Sequence, residues 1–350
     1  MNNNTHNKLN ILQLNKSHCN FSTKQDEIQA AIISNKAMIS IISEANTGGE
    51  SDANIIVRNN IFNGYKFEEK YIYNDILSRL TIIIDKNLPY KRRRDLEDDT
   101  TPCIVIQVKI STRKSIIIVG YYRQWKLLDQ TNPDSTRHLD HQMARFRRFR
   151  AIMDKVNRTG LPFIINGDIN LDRVMANNPY SRGDIKDTLP LLDELIDDLN
   201  CTQINWKPTR FRAGQSPSCL DLVITNCPGK VAGVEPVINL SSEHEGIKCV
   251  FADKEFTCPQ QFASYRKYDK VKTGNILRMI DHSMYNRIFQ LADVNNIADN
   301  IIKLFSDVIE ALAPEIRFQI RNDKDDDSQK TRDIRAEAKL QFLTFKSLHP

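Results

Sequence analysis

Short runs of isoleucine, valine and leucine recur between residues 9 and 251, and they constrain the fold more than any other feature of the chain. These runs are rich in β-branched side chains, which pack well on a pleated surface and therefore indicate β-strands. The predicted strands cover residues 9–14, 38–43, 54–57, 80–85, 103–110, 115–122, 162–166, 220–225 and 247–251. Helical patterns cover residues 24–34, 137–157 and 189–199. Strands interspersed with helices in this way predict an α/β sandwich, in which helices cover two sheets.

The sequence changes character after about residue 258. Helical patterns at 275–284 and 294–312 follow, and Pro314 ends the second because proline cannot continue a helix. A charged run at 322–330 has the composition of a disordered segment, and a last helical pattern covers 331–348. A chain of 350 residues, 40% of them hydrophobic, therefore has room for one large domain at 9–251 and a helical, partly disordered extension at 259–350.

Membrane and secreted proteins are disfavoured by the sequence. No apolar run reaches the roughly 18 residues that a membrane-spanning helix needs, so no membrane partner is expected. The first eight residues are polar and asparagine-rich, unlike a secretory signal. The seven cysteines are scattered without a CxxC pair, which favours free thiols in a reducing compartment over disulfides or a structural zinc site. We therefore expect the nucleus or the cytoplasm.

The net charge of the chain is only +5, but positively charged residues are concentrated in two clusters. One basic run covers residues 91–94, and we predict that it lies at the tip of a surface hairpin. The arginines at 145, 147, 148 and 150 fall on the helical pattern at 137–157, and we predict that these four form its solvent face. Neither cluster by itself indicates a nucleic-acid partner.

Polar and acidic residues stand at the ends of the predicted strands, where layered α/β folds usually build their active sites. They are Asn15, Glu44, the Gly-Asp-Ile-Asn segment at 167–170, Asp221, Glu243 and His244. Carboxylate and amide oxygens suit Mg²⁺, and a histidine with a carboxylate partner can act as a general base. Together they provide the groups for metal-assisted phosphodiester hydrolysis. Taken singly, each motif fits an ordinary loop or turn equally well.

In their order along the chain, these motifs resemble those of the endonuclease/exonuclease/phosphatase superfamily. The matching segments are Leu12-Gln13-Leu14-Asn15, Ile42-Ser43-Glu44, Gly120-Tyr121-Tyr122-Arg123, Gly167-Asp168-Ile169-Asn170, the strand at 220–225, and Ser242-Glu243-His244. The resemblance spans residues 9–251 and implies a four-layer, DNase I-like α/β sandwich.

Within that superfamily, the chain looks most like the endonuclease domain of non-LTR retrotransposon polyproteins. The segments at 121–125, 205–210 and 220–226 carry this closer resemblance. Ala313-Pro314 and the basic segment at 317–321 resemble the connector that precedes a reverse transcriptase in those elements. No reverse-transcriptase domain follows in the 350 residues, so the resemblance leads us to expect a fragment of a longer product.

The resemblance implies a role for each matching residue in a DNA endonuclease that nicks one strand and leaves a 3′-hydroxyl. Glu44, with Asn15 beside it, would hold Mg²⁺, with Mn²⁺ as the alternative ion. His244 would act on the nucleophilic water or stabilise the scissile phosphate, and Asp221 would orient its ring. The remaining expected roles are water and phosphate positioning by Asp168 and Asn170, a hydrogen bond to the phosphate from Tyr122, and DNA binding by Arg210, Arg212 and Trp206.

One position departs from the superfamily pattern, in which Ser-Asp-His corresponds to Ser242-Glu243-His244 here. If Glu243 is catalytic, the extra methylene displaces its carboxylate by ~1 Å, and such a displacement can cost about 10²-fold in rate. Two alternatives therefore stay open beside the DNA endonuclease. One is a phosphatase or phosphodiesterase acting on RNA or on a small phosphorylated substrate. The other is a catalytically decayed remnant that only binds nucleic acid. DNA is the expected partner, and no stable protein partner is predicted.

Overall fold

The structure is a computed structural model that describes residues 8–17, 21–47, 58–59, 61–71, 78–124, 136–173, 183–238, 242–256, 262–266, 273–280 and 294–319. The predicted strand at 54–57, the charged run at 322–330 and the last predicted helix at 331–348 lie outside these residues. Contacts divide the chain into two compact units, Met1–Pro259 and Gln260–Pro350, and each unit is described by itself.

Strands and helices alternate along the chain. The strands are β1 (Lys8–Asn15), β2 (Ile39–Thr47), β3 (Tyr65–Tyr71), β4 (Ser78–Asp85), β5 (Tyr90–Arg92), β6 (Cys103–Lys109), β7 (Ser115–Tyr121), β8 (Phe163–Asp168), β9 (Thr202–Gln203), β10 (Asp221–Thr225), β11 (Val231–Val237), β12 (Gly246–Ala252), β13 (Phe262–Arg266) and β14 (Glu315–Gln319). The α-helices are α1 (Phe21–Ser34), α2 (Thr136–Arg158), α3 (Gly183–Asp198), α4 (Thr273–Met279) and α5 (Val294–Leu312). Of these elements, β13, β14, α4 and α5 belong to the second unit.

Twelve of these strands form two six-stranded sheets in the first unit. The strand order is β11-β12-β1-β2-β4-β3 in one sheet and β5-β6-β7-β8-β10-β9 in the other. Each sheet is mixed, because β1 pairs with β2 and β7 pairs with β8 in parallel, while the other pairs are antiparallel.

Both faces of each sheet are buried, which explains why the strands are continuous apolar runs. Successive side chains of a strand point to opposite faces, so Ile164 packs between the two sheets whereas Ile165 packs under α2 and α3. On the other sheet, Ile41 packs between the sheets and Ile42 packs against α1. The layers are therefore α1, sheet, sheet, and α2 with α3. The predicted four-layer α/β sandwich is confirmed.

The bounds of several elements differ from those predicted, and the differences affect the site. Strand β2 runs on to Thr47, so Glu44 lies inside the strand rather than after it. Strand β8 runs on to Asp168. Helix α1 begins at Phe21, three residues before the predicted start at residue 24. Strands β3, β5, β9 and β11 were not predicted, because they lie toward the sheet edges and carry too few consecutive apolar residues.

The basic run at 91–94 is not a hairpin tip, and that prediction was wrong. Arg92 ends the edge strand β5, and its guanidinium donates two hydrogen bonds to Glu97, from Nε to Oε1 at 3.0 Å and from the terminal nitrogen to Oε2 at 2.9 Å. It also donates to Glu68 of β3 at 3.1 Å, and Lys70 of β3 lies 3.4 Å from Glu97. This ionic cluster ties the edge of one sheet to the edge of the other.

The arginines of α2 are only partly the solvent face that the sequence predicted. Arg147 and Arg148 are exposed. Arg145 is half-buried and donates to the carbonyl of Gln124 at 2.7 Å, and Arg150 donates to Asp198 of α3 at 2.8 Å. Two of the four arginines therefore hold the helix against its surroundings instead of facing outward.

The second unit combines helices with a strand pair. Helix α5 has the bounds that the sequence predicted, whereas the helix predicted at 275–284 is described only as α4 at Thr273–Met279. Strands β13 and β14 form a two-stranded antiparallel sheet that the helical pattern did not predict. Among the helices that the structure describes in either unit, none is long and apolar enough to cross a membrane.

Replacing Glu97 by glutamine should destabilise the fold strongly. The Glu97 side chain is only 3% exposed, and the change removes the counter-charge of two cations that are themselves nearly buried, which costs ~3–5 kcal/mol. Urea unfolding of the full chain would measure this loss. Asp95→Asn is the matched control, since Asp95 pairs with Arg93 in an ion pair whose carboxylate is 58% exposed, and it should cost below about 1 kcal/mol. Equal losses in the two variants would contradict a structural role for the cluster.

Candidate active site

Strand pairing brings the predicted polar residues to one edge of the sandwich. Strands β8 and β10 are antiparallel, so the last residue of one, Asp168, stands directly opposite the first residue of the other, Asp221. In the other sheet β1 and β2 are parallel, and Asn15 pairs with Ser43, the residue before Glu44. Side chains from both sheets therefore meet at the same edge, where a hydrogen bond from Asn15 to Asp168 at 2.8 Å joins them.

His244 and Asp221 form a buried pair. The ring Nδ1 of His244 lies 2.7 Å from Oδ2 of Asp221, and Asp221 is completely buried. The same Oδ2 accepts a hydrogen bond from the Thr209 hydroxyl at 2.7 Å, and Oδ1 accepts one from the Gln13 amide at 2.7 Å. These contacts fix the Asp221 carboxylate on both oxygens, so it holds the histidine ring in one orientation with Nε2 directed away from Asp221.

Asp168 is held by the turn that follows it. Its Oδ1 accepts from the Asn170 backbone N–H at 3.0 Å, and its Oδ2 accepts from the Asn170 amide at 3.2 Å. The residue before it must be glycine, because a Cβ on Gly167 would lie 1.9 Å from the backbone oxygen of Tyr121 on the neighbouring strand. The Gly-Asp-Ile-Asn segment is therefore more than a generic turn, since two contacts from Asn170 fix the Asp168 carboxylate.

Glu44 faces Tyr122 across the gap between the sheets. The Tyr122 hydroxyl donates to Oε1 of Glu44 at 3.0 Å, and both side chains are buried. The backbone of Glu44 is left-handed, with φ of 55°, where the pairing of β2 with β4 shifts register. The non-glycine residues with positive φ in the described part of the chain are Ser17, Lys36, Glu44, Asn46, Asn170 and Asn200. Four of the six lie in site segments, and strain of this kind is concentrated at functional sites.

The buried charges of the site shift one another's protonation. Burial and the neighbouring charge of Asp221 raise the pKa of Asp168 to about 8. Burial alone would lower the pKa of His244, but the charge of Asp221 and its hydrogen bond outweigh burial and raise that pKa to about 9. Burial and the Glu44 carboxylate raise the pKa of Tyr122 well above its usual range. Among the charges that act on Asp168, the two carboxylates of Asp221 and Glu44 outnumber the one cation, His244.

This charge imbalance is the condition under which a divalent cation binds. The donor atoms of Asp168, Asp221 and His244 lie within 4.8 Å of one another, and Glu44 acts electrostatically on both Asp168 and His244. A possible metal site is thus present. Its donors are mostly hard oxygen atoms, the type that Mg²⁺ and Mn²⁺ prefer.

Of the other predicted residues, Arg210 lies on the rim of the site, because it forms a backbone bridge with His244. The Glu243 carboxylate does not point at the Asp168 cluster, because it accepts a hydrogen bond from Arg210 at 2.9 Å and lies 3.6 Å from Arg212. Trp206 is half exposed, and the Arg173 guanidinium stands 5.2 Å from its ring centre. Of the motif at 121–125, residue 125 lies outside the described residues.

Sequence reasoning missed several residues that build the site. Gln13 and Thr209 bind Asp221, and the Ser242 hydroxyl accepts from the His244 backbone N–H at 3.1 Å. The Ser242 hydroxyl also lies 2.7 Å from that of Ser17, so it joins the histidine loop to the loop after β1. A glutamine inside an otherwise apolar strand was the available signal for Gln13. Nothing local marks Thr209.

Solved structures share this fold. The endonuclease domain of TRAS1, a telomere-specific non-LTR retrotransposon, matches with a TM-score of 0.50 and 17% sequence identity, over 70% of this chain and 98% of that domain. The AP endonuclease LMAP from Leishmania major matches with a TM-score of 0.57 and 13% identity, over 71% of this chain and 88% of that one. No protein-family model and no curated protein matches the chain. At these identities the likeness concerns the fold, and it confirms the DNase I-like sandwich.

Replacing Asp221 by asparagine should lower the pKa of His244 from about 9, because burial is then opposed only by the charges of Asp168 and Glu44. His244 contributes stability that is fully present below pH 6.5 and is lost as pH rises through about 9, and the variant should lose that dependence. Histidine side-chain NMR of the metal-free protein would measure the titration, with His244→Gln identifying the signal. An unchanged pKa in Asp221→Asn would mean that another group holds the proton on the ring.

Proposed function

Because the chain has the fold of the endonuclease/exonuclease/phosphatase superfamily, we propose that it is a metal-dependent phosphodiesterase, and specifically a DNA endonuclease of non-LTR retrotransposon origin that nicks one strand. The observation that carries the proposal is the buried Asp221–His244 pair, held next to Asp168 at the edge of the sandwich. Asp221 is a fixed carboxylate, His244 is a fixed cation, and Asp168 is a carboxylate that can hold a proton. These are the groups that phosphodiester hydrolysis requires.

Hydrolysis forms a bond between the phosphorus and a water oxygen, and it breaks the bond to the 3′ oxygen, which takes up a proton from solvent and leaves as a hydroxyl. His244 is protonated near neutral pH because Asp221 stabilises its cation. It is therefore suited to bind the scissile phosphate and stabilise the negative charge that develops there. Asp168, whose pKa of about 8 lies near the working range, is suited to take the proton from water, and Asn170 keeps its carboxylate in place. Tyr122 adds a hydroxyl for a phosphate oxygen.

The residues present fit a divalent cation, which we propose to be Mg²⁺, with Mn²⁺ as the alternative. Glu44 would hold it, with Asn15 beside it. When bound, the ion neutralises charge on the phosphate and on the carboxylates around it. The fit rests on the close grouping of the donor atoms of Asp168, Asp221 and His244, and on the raised pKa of Asp168, which burial and then the charges of Asp221 and Glu44 produce.

We propose DNA as the substrate because of the rim around the site. Arg212 and Trp206 are both half exposed or more, and Arg210 forms an antiparallel backbone bridge with His244. Arginine side chains bind backbone phosphates, and an exposed indole provides a surface on which a base can stack.

The full chain should nick supercoiled plasmid in the presence of Mg²⁺, and Asp168→Ala and His244→Ala should each lower the rate by about 10²–10⁴-fold, as expected for removing a proton-transfer or charge-stabilising group. The conversion of supercoiled to open-circular plasmid measures the rate. Arg147→Ala, on the exposed face of α2, is the matched control and should nick normally.

If the parent chain fails with both Mg²⁺ and Mn²⁺, the DNA endonuclease is wrong. Hydrolysis of a small phosphorylated substrate by the same preparation would then favour the phosphatase alternative. Salt-sensitive DNA binding without any hydrolysis would favour a decayed remnant.

Mg²⁺ should raise the midpoint of thermal unfolding more at pH 8 than at pH 5. In the metal-free protein, the stability contributed by Asp168 is present below its usual pKa of 3.8 and is lost as pH rises through about 8, so a cation can replace the proton only at the higher pH. Each kcal/mol of binding energy should appear as ~2–4 °C in a domain of this size. Glu44→Gln should reduce the shift, and equal shifts at the two pH values would contradict a metal site at these carboxylates.

A further inference from the structure

We propose that Arg210 and Arg212 form a phosphate-binding subsite for the substrate strand, and that the Glu243 carboxylate is its internal counter-ion, which a DNA phosphate displaces on binding. The inference rests on the proposed DNA substrate. It assigns Glu243 a part in setting affinity for DNA, outside the hydrolytic groups.

The geometry is that of an anion held between two arginines. Glu243 accepts a hydrogen bond from Nε of Arg210 at 2.9 Å through one carboxylate oxygen, and its other oxygen lies 3.6 Å from Nε of Arg212. On its far side, Arg210 donates to the Gln215 amide oxygen at 3.2 Å, which orients its guanidinium. A phosphate has the charge and the acceptor oxygens to take the place of this carboxylate.

Backbone pairing places this cluster beside the hydrolytic groups. The Phe211 N–H donates to the carbonyl of Glu243 at 2.7 Å, and the Glu245 N–H donates to the carbonyl of Thr209 at 2.7 Å. Arg210 consequently forms an antiparallel bridge with His244. A strand whose scissile phosphate contacts His244 would therefore carry its neighbouring phosphates past Arg210 and Arg212.

The ion pairs of Glu243 with Arg210 and Arg212 are exposed enough for another anion to replace the carboxylate. The Arg212 side chain is 58% exposed and that of Glu243 is 34% exposed, whereas that of Arg210 is 18% exposed. Ion pairs at this level of exposure are weak and screened by salt, so an incoming phosphate can compete for the arginines. In the free protein, Glu243 cancels one of the two positive charges, which lowers the attraction of the rim for any polyanion.

The substitution Glu243→Gln offers a direct test, because it keeps the shape and an acceptor oxygen of the side chain and removes only its charge. The measurement is the affinity of the full chain for a short DNA duplex by fluorescence anisotropy, in EDTA and over a series of salt concentrations. Glu243→Gln should bind about 3- to 5-fold more tightly at the lowest salt. The plot of log affinity against log salt should steepen by about 0.9, the value for one further neutralised phosphate.

Glu245→Gln is the matched control. It removes the same charge two residues away, on the other side of His244, and no ion pair of Glu245 with an arginine occurs among the described residues. It should leave the salt slope unchanged. In the double variant Arg210→Gln/Arg212→Gln, the further change Glu243→Gln should produce no gain in affinity for DNA.

Equal effects of Glu243→Gln and Glu245→Gln would overturn the inference, because the gain would then come from net charge alone. A gain in DNA affinity from Glu243→Gln that persists in the variant without the two arginines would also overturn the inference. If the parent chain binds and nicks DNA while the two variants behave alike, only this inference fails. If neither the parent nor Glu243→Gln binds DNA at any salt concentration, the proposed DNA substrate fails with it.

Discussion

The antiparallel register of β8 and β10 forces two carboxylates, Asp168 and Asp221, to stand side by side in the protein interior. Two buried like charges repel each other strongly, and the surrounding structure consists largely of groups that offset this repulsion. Asp221 receives hydrogen bonds on both oxygens and a histidine cation at 2.7 Å. Asp168 receives amide donors from Asn15 and Asn170, and burial leaves its pKa near 8. The same repulsion that makes the arrangement costly adds to burial in raising the pKa of Asp168, and it favours a cation beside the two carboxylates.

Two rigid sheets make this arrangement sustainable. Each sheet is buried on both faces, so its strands cannot shift to relieve the charges or the left-handed backbone at Glu44 and Asn170. Residues in that conformation cost ~1–3 kcal/mol each and persist only where the surrounding packing determines them. Core packing thus acts on the site directly, since it holds side chains from both sheets against a common edge.

The rim differs from the interior in how its charges are balanced. Inside, the carboxylates outnumber the cations, whereas at the rim the arginines outnumber Glu243. An excess of negative charge suits a metal ion, and an excess of positive charge suits a polyanionic strand. The sequence led us to treat Glu243 as a misplaced catalytic acid. In the folded chain its carboxylate lies with the arginines, so its extra length bears on the rim rather than on the pair of buried acids.

The sequence by itself determined the fold class, most strands and the identity of the central residues. Those depend on local properties: an apolar run such as that of β8 has to be buried on both faces, and Asp168, Asp221 and His244 carry their chemistry wherever they lie. Only the tertiary structure decided which side chains meet. Gln13 and Asp221 lie 208 residues apart in the chain, and no local pattern indicates their hydrogen bond. The sequence indicates a surface charge at Arg92. In the fold, its guanidinium binds Glu68 of β3 and Glu97, which follows β5. Charge and hydrophobicity are properties of a residue, but partners and burial are properties of the packed chain, so the first could be predicted from the sequence and the second could not.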